Sequence, residues 1–245
     1  MSTPAVWIGT SGWSYDHWND VLYPAGTPSG KRFGIYVHEF PTVELNASFY
    51  RWPRPGTFAS WQRRLPEVYR FSVKAARGLT HTRRLADPAE WVDRLVAGWR
   101  ELGDKRGMML FQLPPGLVRD DGLLDNLLER IGGRIPVAVE FRHPTWHDEE
   151  VLRILERHAA AYCVMSGAQL PCLLRATAPQ VYVRWHGPSH DQLYAGSYPD
   201  ADLHWWADRI DEWRAGGHEV FGYFNNDGAG HAVRNARTLR ALIRT

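Results

Sequence analysis

Eight short apolar runs recur along the chain, and most of the segments between them carry apolar residues at the three-and-four spacing of an amphipathic helix. The runs predict strands at Val6–Thr10, Thr42–Asn46, Tyr69–Lys74, Gly107–Leu113, Val137–Val139, Ala160–Met165, Gln180–Trp185 and Glu219–Phe224. Helices are predicted at Lys31–Phe40, from a cap at Thr57 to Leu65, from an Asp87 cap and Pro88 to Leu102, and at Asp121–Ile131, Asp148–His158, Asp200–Ala215 and Ala229–Ile243. Gly78-Leu79-Thr80-His81 is read as a loop, and the stretch after the sixth strand as irregular. Val137-Ala138-Val139 is apolar on both faces, the habit of a strand buried in a parallel sheet. Regular alternation of eight strands with helices predicts a single α/β domain over residues 1–245, a (β/α)8 TIM-type barrel. Strand-to-helix connections such as 11–30, 47–56, 166–179 and 186–199 are long, and helix-to-strand connections are short. That asymmetry places the working face at the C-terminal ends of the strands.

Alternation also sorts the strand residues into two faces. Glu44 and Asn46 fall together, as do Arg70, Ser72 and Lys74; Met108, Leu110 and Gln112; Glu140 and Arg142; Tyr182, Arg184 and His186; and Tyr223 and Asn225, with Asn226 adjacent. The opposite set on each strand is apolar and suits the helix-facing side. Polar residues come last in each strand, as a pocket at the mouth of a barrel requires. A charge at the end of a buried strand costs several kcal/mol unless paired. Glu140 and Arg142 are therefore either a structural ion pair or functional groups.

Lys74, Arg142 and Arg184 outnumber Glu44 and Glu140 there, which predicts a net-basic pocket for a small anionic, phosphorylated ligand. Asp227-Gly228-Ala229-Gly230 before the last helix fits a phosphate-binding helix start, or a simple cap. The chain has three lysines, so Lys74 at an inner strand end is notable. It is read first as an ion-pair partner, then as an anion contact, then as a Schiff-base amine. Glu44 and Glu140 suit a general acid/base pair, with His186 and Lys74 as further catalytic candidates. Asn46, Tyr50, His81, Gln112, Arg142, Arg184, Asn225 and Asn226 are the candidate substrate-binding residues. Phe49-Tyr50, Trp13, Trp18, Trp52 and Trp146 lie just beyond strand ends, and either stack on a ring of the ligand or pack as pocket wall.

Composition narrows the partners. A net charge of +2 argues against a general nucleic-acid binder, and nucleic acid is kept only as an alternative partner. Cys163 and Cys172 have neither metal-ligand spacing nor a disulfide framework, which suggests a reduced, cytoplasmic protein. No leader pattern and no membrane-length apolar run is read, so no membrane partner is expected. Nothing in the sequence demands a cofactor. A divalent metal held by the glutamates and histidines stays open, although no His-Glu-x-x-His spacing is present. Oligomeric state is not legible.

Several stretches resemble the domain-of-unknown-function family 72, the YecE-like barrel family. They are Gly9-Thr10-Ser11-Gly12-Trp13-Ser14-Tyr15 with Trp18 and Tyr23-Pro24; Val43-Glu44-Leu45-Asn46 with Ser48-Phe49-Tyr50; Phe71-Ser72-Val73-Lys74 with Thr80-His81; Leu110-Phe111-Gln112-Leu113-Pro114-Pro115; Glu140-Phe141-Arg142-His143 with Trp146; Arg184 with His186-Gly187; and Tyr223-Phe224-Asn225-Asn226. The resemblance spans nearly the whole chain and implies a TIM-type barrel, with no assigned reaction. At the end of strand six the family usually carries Asp before Ser, where this chain has Met165-Ser166, so one candidate metal ligand or base is missing. Three functions remain: an acid/base enzyme on a small phosphorylated substrate, preferred; a metal-dependent phosphodiesterase or endonuclease-like barrel; and a non-catalytic ligand-binding barrel.

Overall fold

The predicted strands form where their apolar runs can be buried on both sides. In the computed structural model, which describes residues 4–189 and 191–244, eight parallel strands follow the order β1-β8-β7-β6-β5-β4-β3-β2. They are β1 Val6–Thr10, β2 Thr42–Leu45, β3 Arg70–Lys74, β4 Arg106–Gln112, β5 Val137–Glu140, β6 Ala161–Ser166, β7 Gln180–Trp185 and β8 Glu219–Phe224. The helices are α1 Ser29–Glu39, α2 Ala47–Tyr50, α3 Pro55–Gln62, α4 Ala89–Arg100, α5 Asp121–Ile131, α6 Glu149–Arg157, α7 Asp200–Ala215 and α8 His231–Leu242. This is a (β/α)8 TIM-type barrel. Met1-Ser2-Thr3, His190 in the β7–α7 connection and Thr245 lie outside the described residues.

Backbone contacts gather into two units. The first comprises the described residues of Met1–Glu44, Val164–Leu174 and Gln180–Thr245. Here β1 runs beside β8 from Val6↔Val220 to Thr10↔Phe224, and β7 beside β8 from Gln180↔Glu219 to Trp185↔Phe224. A bridge between Ser11 and Glu44, with Gly12 N donating to Glu44 O at 2.8 Å, carries β1 against β2. Leu203, Trp206 and Ile210 of α7 and Val233, Ala236 and Leu239 of α8 are buried, at the spacing that makes one helix face.

The second unit comprises Leu45–Cys163 and Arg175–Pro179. Met109↔Val137 through Gln112↔Glu140 set the β4–β5 register, and Lys74 pairs with Leu110 across β3–β4. That register brings the last side chains of β3, β4 and β5 into reach of one another. Helix α5 starts on Asp120, whose carboxylate accepts from Leu123 N at 3.0 Å, and ends on Gly132 in the left-handed region. Helix α6 starts on Asp148, accepting from Glu150 N at 2.9 Å, with Glu149 and Glu150 in the first turn toward the positive helix end. Thr177 Oγ1 accepts from Tyr162 N and donates to Ala160 O, both at 2.7 Å, tying the helix-free connection after β6 back to that strand.

Four local expectations are corrected. Helix α3 begins at Pro55 on an Arg54 cap rather than on Thr57, because proline's fixed φ suits the first helical position and costs no donor there. Helix α4 begins at Ala89 with Pro88 as its cap, one residue later than expected, since Asp87 sits at φ 45°. The expected Gly78–His81 loop is a π-helix, Gly78–Thr82. The last helix starts at His231, because Ala229 and Gly230 take positive φ and break the helix from the turn before it.

Candidate functional site

In the second unit, the ends of β3, β4 and β5 carry a continuous polar row. Lys74 Nζ donates to Gln112 Oε1 at 2.8 Å, and Gln112 Nε2 donates to Glu140 Oε1 at 2.5 Å. Arg142 Nε donates to the same Glu140 oxygen, closing an ion pair. Glu140 Oε2 faces the Cys163 thiol at 3.8 Å. Glu140 is fully buried and Lys74 nearly so, so these charges interact in a medium far less screening than water. Gln112 is the coupling group: its amide is oriented by Lys74 on one side and Glu140 on the other.

Two neighbours complete the row. Lys74 Nζ lies 4.3 Å from the centre of the Phe49 ring, a cation–π distance, and Phe49 meets His81 edge-on at 4.8 Å. Ser48 Oγ donates to Lys74 O at 2.6 Å, which holds α2 against the end of β3. The π-helix presents His81, whose Nδ1 pairs with Thr80 Oγ1 at 2.9 Å. Burial, with the charges of Lys74 and Arg77, lowers the His81 pKa from 6.5 to about 4. His81 is therefore a neutral imidazole near pH 7, held so first by burial and then by the neighbouring Lys74 and Arg77 charges.

In the first unit the strand ends build a second, tighter group. Glu44 accepts from Ser11 Oγ, from Arg184 Nη2 at 2.8 Å and from Tyr182 Oη at 2.6 Å. Arg184 Nη2 also donates to Ser11 Oγ at 3.1 Å. Glu44 and Arg184 are both buried, and their charges answer one another. Burial, and then the Glu44 charge, push the Tyr182 hydroxyl well above its ordinary pKa, so it stays a donor. Thr42 Oγ1 and Tyr223 Oη, 2.8 Å apart, extend the group. His186 is buried; Asn225 Nδ2 lies 3.3 Å from its Nδ1, and its backbone N donates to Ser166 O at 2.6 Å. Ser166 also accepts from Tyr198 Oη at 2.9 Å, while the neighbouring Met165 is core.

The candidates thus fall into two sets. Lys74, Gln112, Glu140, Arg142 and His81 meet in the second unit; Glu44, Arg184, His186 and Asn225 gather in the first. Asn46 stands at the start of α2 with its Oδ1 buried and without a partner. Tyr50 is 80% exposed, beside Phe49 at 5.1 Å. Asn226 Nδ2 donates to Gly196 O and to Asn235 Oδ1, each at 2.9 Å, tying the β7–α7 connection to α8. Trp18, Trp52 and Trp146 are buried wall, not stacking platforms. Ser11 and Cys163 enter the sites without having been read as site residues, and Tyr182, which alternation puts on the inner face, was not among the candidates. Alternation along β6 would have turned Cys163 toward Glu140, and Ser11 directly follows the apolar β1. Among the described residues, no group of three or more His, Cys, Asp or Glu side chains is arranged to hold a metal ion, and no helix is long and apolar enough to cross a membrane.

A family model described as "Protein of unknown function DUF72" matches residues 7–245. The UPF0759 protein YunF of Bacillus subtilis (strain 168) is 28% identical over 269 residues, covering 97% of this chain and 94% of its own. Among solved structures, a DUF72 family protein from Thermotoga maritima MSB8 superposes with a TM-score of 0.85 at 26% identity, covering 97% of this chain and 98% of that one. A DUF72 family protein from Enterococcus faecalis V583 gives 0.84 at 19% identity, covering 97% and 95%, a likeness of fold.

Proposed function

Because this chain belongs to the DUF72 family, proteins of unknown function built on this barrel, we propose from its own strand ends that it is an enzyme acting on a small anionic, phosphorylated substrate by acid/base chemistry. The observation that carries the reading is the Lys74–Gln112–Glu140–Arg142 row, in which the buried Glu140 carboxylate pairs with Arg142 and is linked through Gln112 to Lys74. The charges of Lys74 and Arg77 add to burial in depressing the His81 pKa, in keeping with cations at these strand ends. The row holds two cations and one carboxylate, a net-basic group that suits an anionic ligand.

In this reading Lys74 and Arg142 hold the anion. Arg142's planar fork suits two oxygens of one phosphate, and Lys74's ammonium contributes a point charge. Gln112 orients it. Glu140 moves the proton, with Oε1 held by Gln112 and Arg142, so the carboxylate is fixed before substrate arrives. Neutral His81 takes a hydrogen bond from substrate, as its acceptor form allows. General acid/base help of this kind contributes about 10²–10⁴-fold in rate. Glu44 has both oxygens occupied and is read as the residue that positions Arg184.

The test is a thermal-shift screen of phosphorylated metabolites, followed by turnover assays on every ligand found. Arg142→Gln is expected to lose binding. Glu140→Gln is expected to keep binding and lose turnover by about 10²-fold or more. Ligand binding untouched by Arg142→Gln and Lys74→Gln overturns the anion assignment. Binding without turnover in the parent protein overturns the catalytic one.

A further inference from the structure

The whole chain carries a net charge of only +2, but that charge is unevenly spread. Residues 46–86 hold eight arginines and one lysine against a single carboxylate, Glu67, a net of +8. The rest of the chain is therefore at −6. The connections that follow β2 and β3 bear Arg51, Arg54, Arg77, Arg83 and Arg84, all exposed, against one acid, Asp87, at the far end of the second connection just before α4. Glu67 lies beyond α3, before the start of β3. Among the described residues, none of these five guanidiniums makes an ion pair or a side-chain hydrogen bond. Elsewhere in the same unit the half-buried Arg119 and Arg175 and the exposed Arg157 each reach a carboxylate.

The two connections lie side by side. Ser48 bonds to the Lys74 carbonyl, and Phe49 packs on His81. Arg51 and Arg54 flank Pro53 and lead into α3, while Arg77 precedes the π-helix and Arg83 and Arg84 follow it. The backbone there is strained to hold this display: Arg84 and Leu85 take φ 49° and 69°. Leu85 is fully buried and anchors the turn, which leaves the two preceding arginines outward. On the same surface stands Tyr50, 80% exposed, with its ring against Phe49. A large aromatic face in water, on adjoining connections that carry five exposed arginines, has the two parts that a single nucleic-acid strand requires, cations for the phosphates and a ring for a base.

We propose that the surface formed by the β2–α3 and β3–α4 connections binds single-stranded nucleic acid, with Arg51, Arg54, Arg77, Arg83 and Arg84 on the phosphates and Tyr50 stacked on a base. Two neighbouring loops with cations on each offer a track for a flexible strand, and an exposed stacking ring needs an unpaired base. An acidic membrane surface would also attract these cations, and the two connections expose only Tyr50 among large hydrophobic residues that could insert beside them. This proposal goes beyond the acid/base reading and stands if that reading falls, since it uses none of Gln112, Glu140 or Arg142.

The experiment is fluorescence anisotropy of the full chain with a fluorescein-labelled thymidine 20-mer, from low to physiological salt. Saturable binding is expected, with log Kobs falling linearly against log salt by about 0.7 per phosphate contacted. The triple variant R77Q/R83Q/R84N, whose asparagine tolerates the left-handed turn, should weaken binding at least tenfold and flatten that slope by about 2. Tyr50→Ala should weaken it roughly fivefold or more, and Arg142→Gln should leave it within twofold. The five substituted loop arginines make no ion pair or side-chain hydrogen bond among the described residues, so circular dichroism melts of the triple variant and of R51Q/R54Q should match the parent. No binding at low salt, binding unchanged in the triple variant and in R51Q/R54Q, equal affinity for a duplex of the same length, or preferential capture by phosphatidylserine vesicles would each overturn the proposal.

Discussion

Replacing Arg184 by methionine tests how this fold handles buried charge. The wild-type pair has its guanidinium and the Glu44 carboxylate 2.8 Å apart, with both side chains essentially without solvent contact. Methionine keeps much of the volume and removes the charge. Glu44 then remains buried with only the Ser11 and Tyr182 hydroxyls as donors. Stranding one member of a buried pair costs about 3–5 kcal/mol. For a chain of this size that corresponds to a fall in Tm of about 6–20 °C. The double variant Glu44→Leu with Arg184→Met has no stranded charge and should recover most of the loss, because replacing a whole buried pair with apolar groups is often neutral or stabilising. Leucine leaves the Tyr182 hydroxyl without its acceptor, so recovery should fall short by about 1–3 kcal/mol. Urea unfolding of the parent, both single variants and the double variant, followed by circular dichroism, closes the cycle. A cost below about 1 kcal/mol for Arg184→Met, or additive single effects, would refute the claim that these charges depend on each other.

Two further outcomes follow from the same geometry. The His81 ring should titrate near pH 4 by proton NMR; its unfolded pKa lies higher, so the unfolded chain binds more protons and stability should fall as pH drops from about 6.5 toward 4. Lys74→Met removes one cause of that depression, so the His81 pKa should rise, and an unmoved titration would count against the contact. At Gly9, a Cβ would sit 2.3 Å from the Thr42 carbonyl oxygen on the neighbouring strand, so Gly9→Ala should lower stability by about 1–3 kcal/mol in urea unfolding. An alanine variant as stable as the parent would show that β1 and β2 can separate freely there.

Much of the barrel was legible because its signals are local. Val6–Thr10, Gln180–Trp185, Asp200–Ala215 and Glu219–Phe224 form with the boundaries that their apolar periodicity predicts. Asp120 and Gly132 bound α5 by their own chemistry. Alternation also turned Lys74, Gln112 and Glu140 to one side, and the sheet register makes them hydrogen-bond partners. The missed elements depend on distant groups. Nothing near Gly78 announces a π-helix, and the buried Leu79, Thr80 and Leu85 side chains accompany its unusual backbone. Asn226 looked like a strand-end ligand contact, yet it bonds to Gly196 and Asn235, partners that only the folded chain brings near.

By itself, then, the sequence determined the alternation of strands and helices, the barrel class and the polar character of the strand ends, because these follow from periodicity along one segment. Tertiary structure alone decided which charge answers which. Glu44 and Arg184 are 140 residues apart and become one buried pair, while Arg142 meets Glu140 directly and Lys74 reaches it through Gln112. A total charge of +2 likewise says little about where the charge sits. Electrostatic energy depends on separation and burial rather than on a sum over the chain, and only folding sets those two quantities.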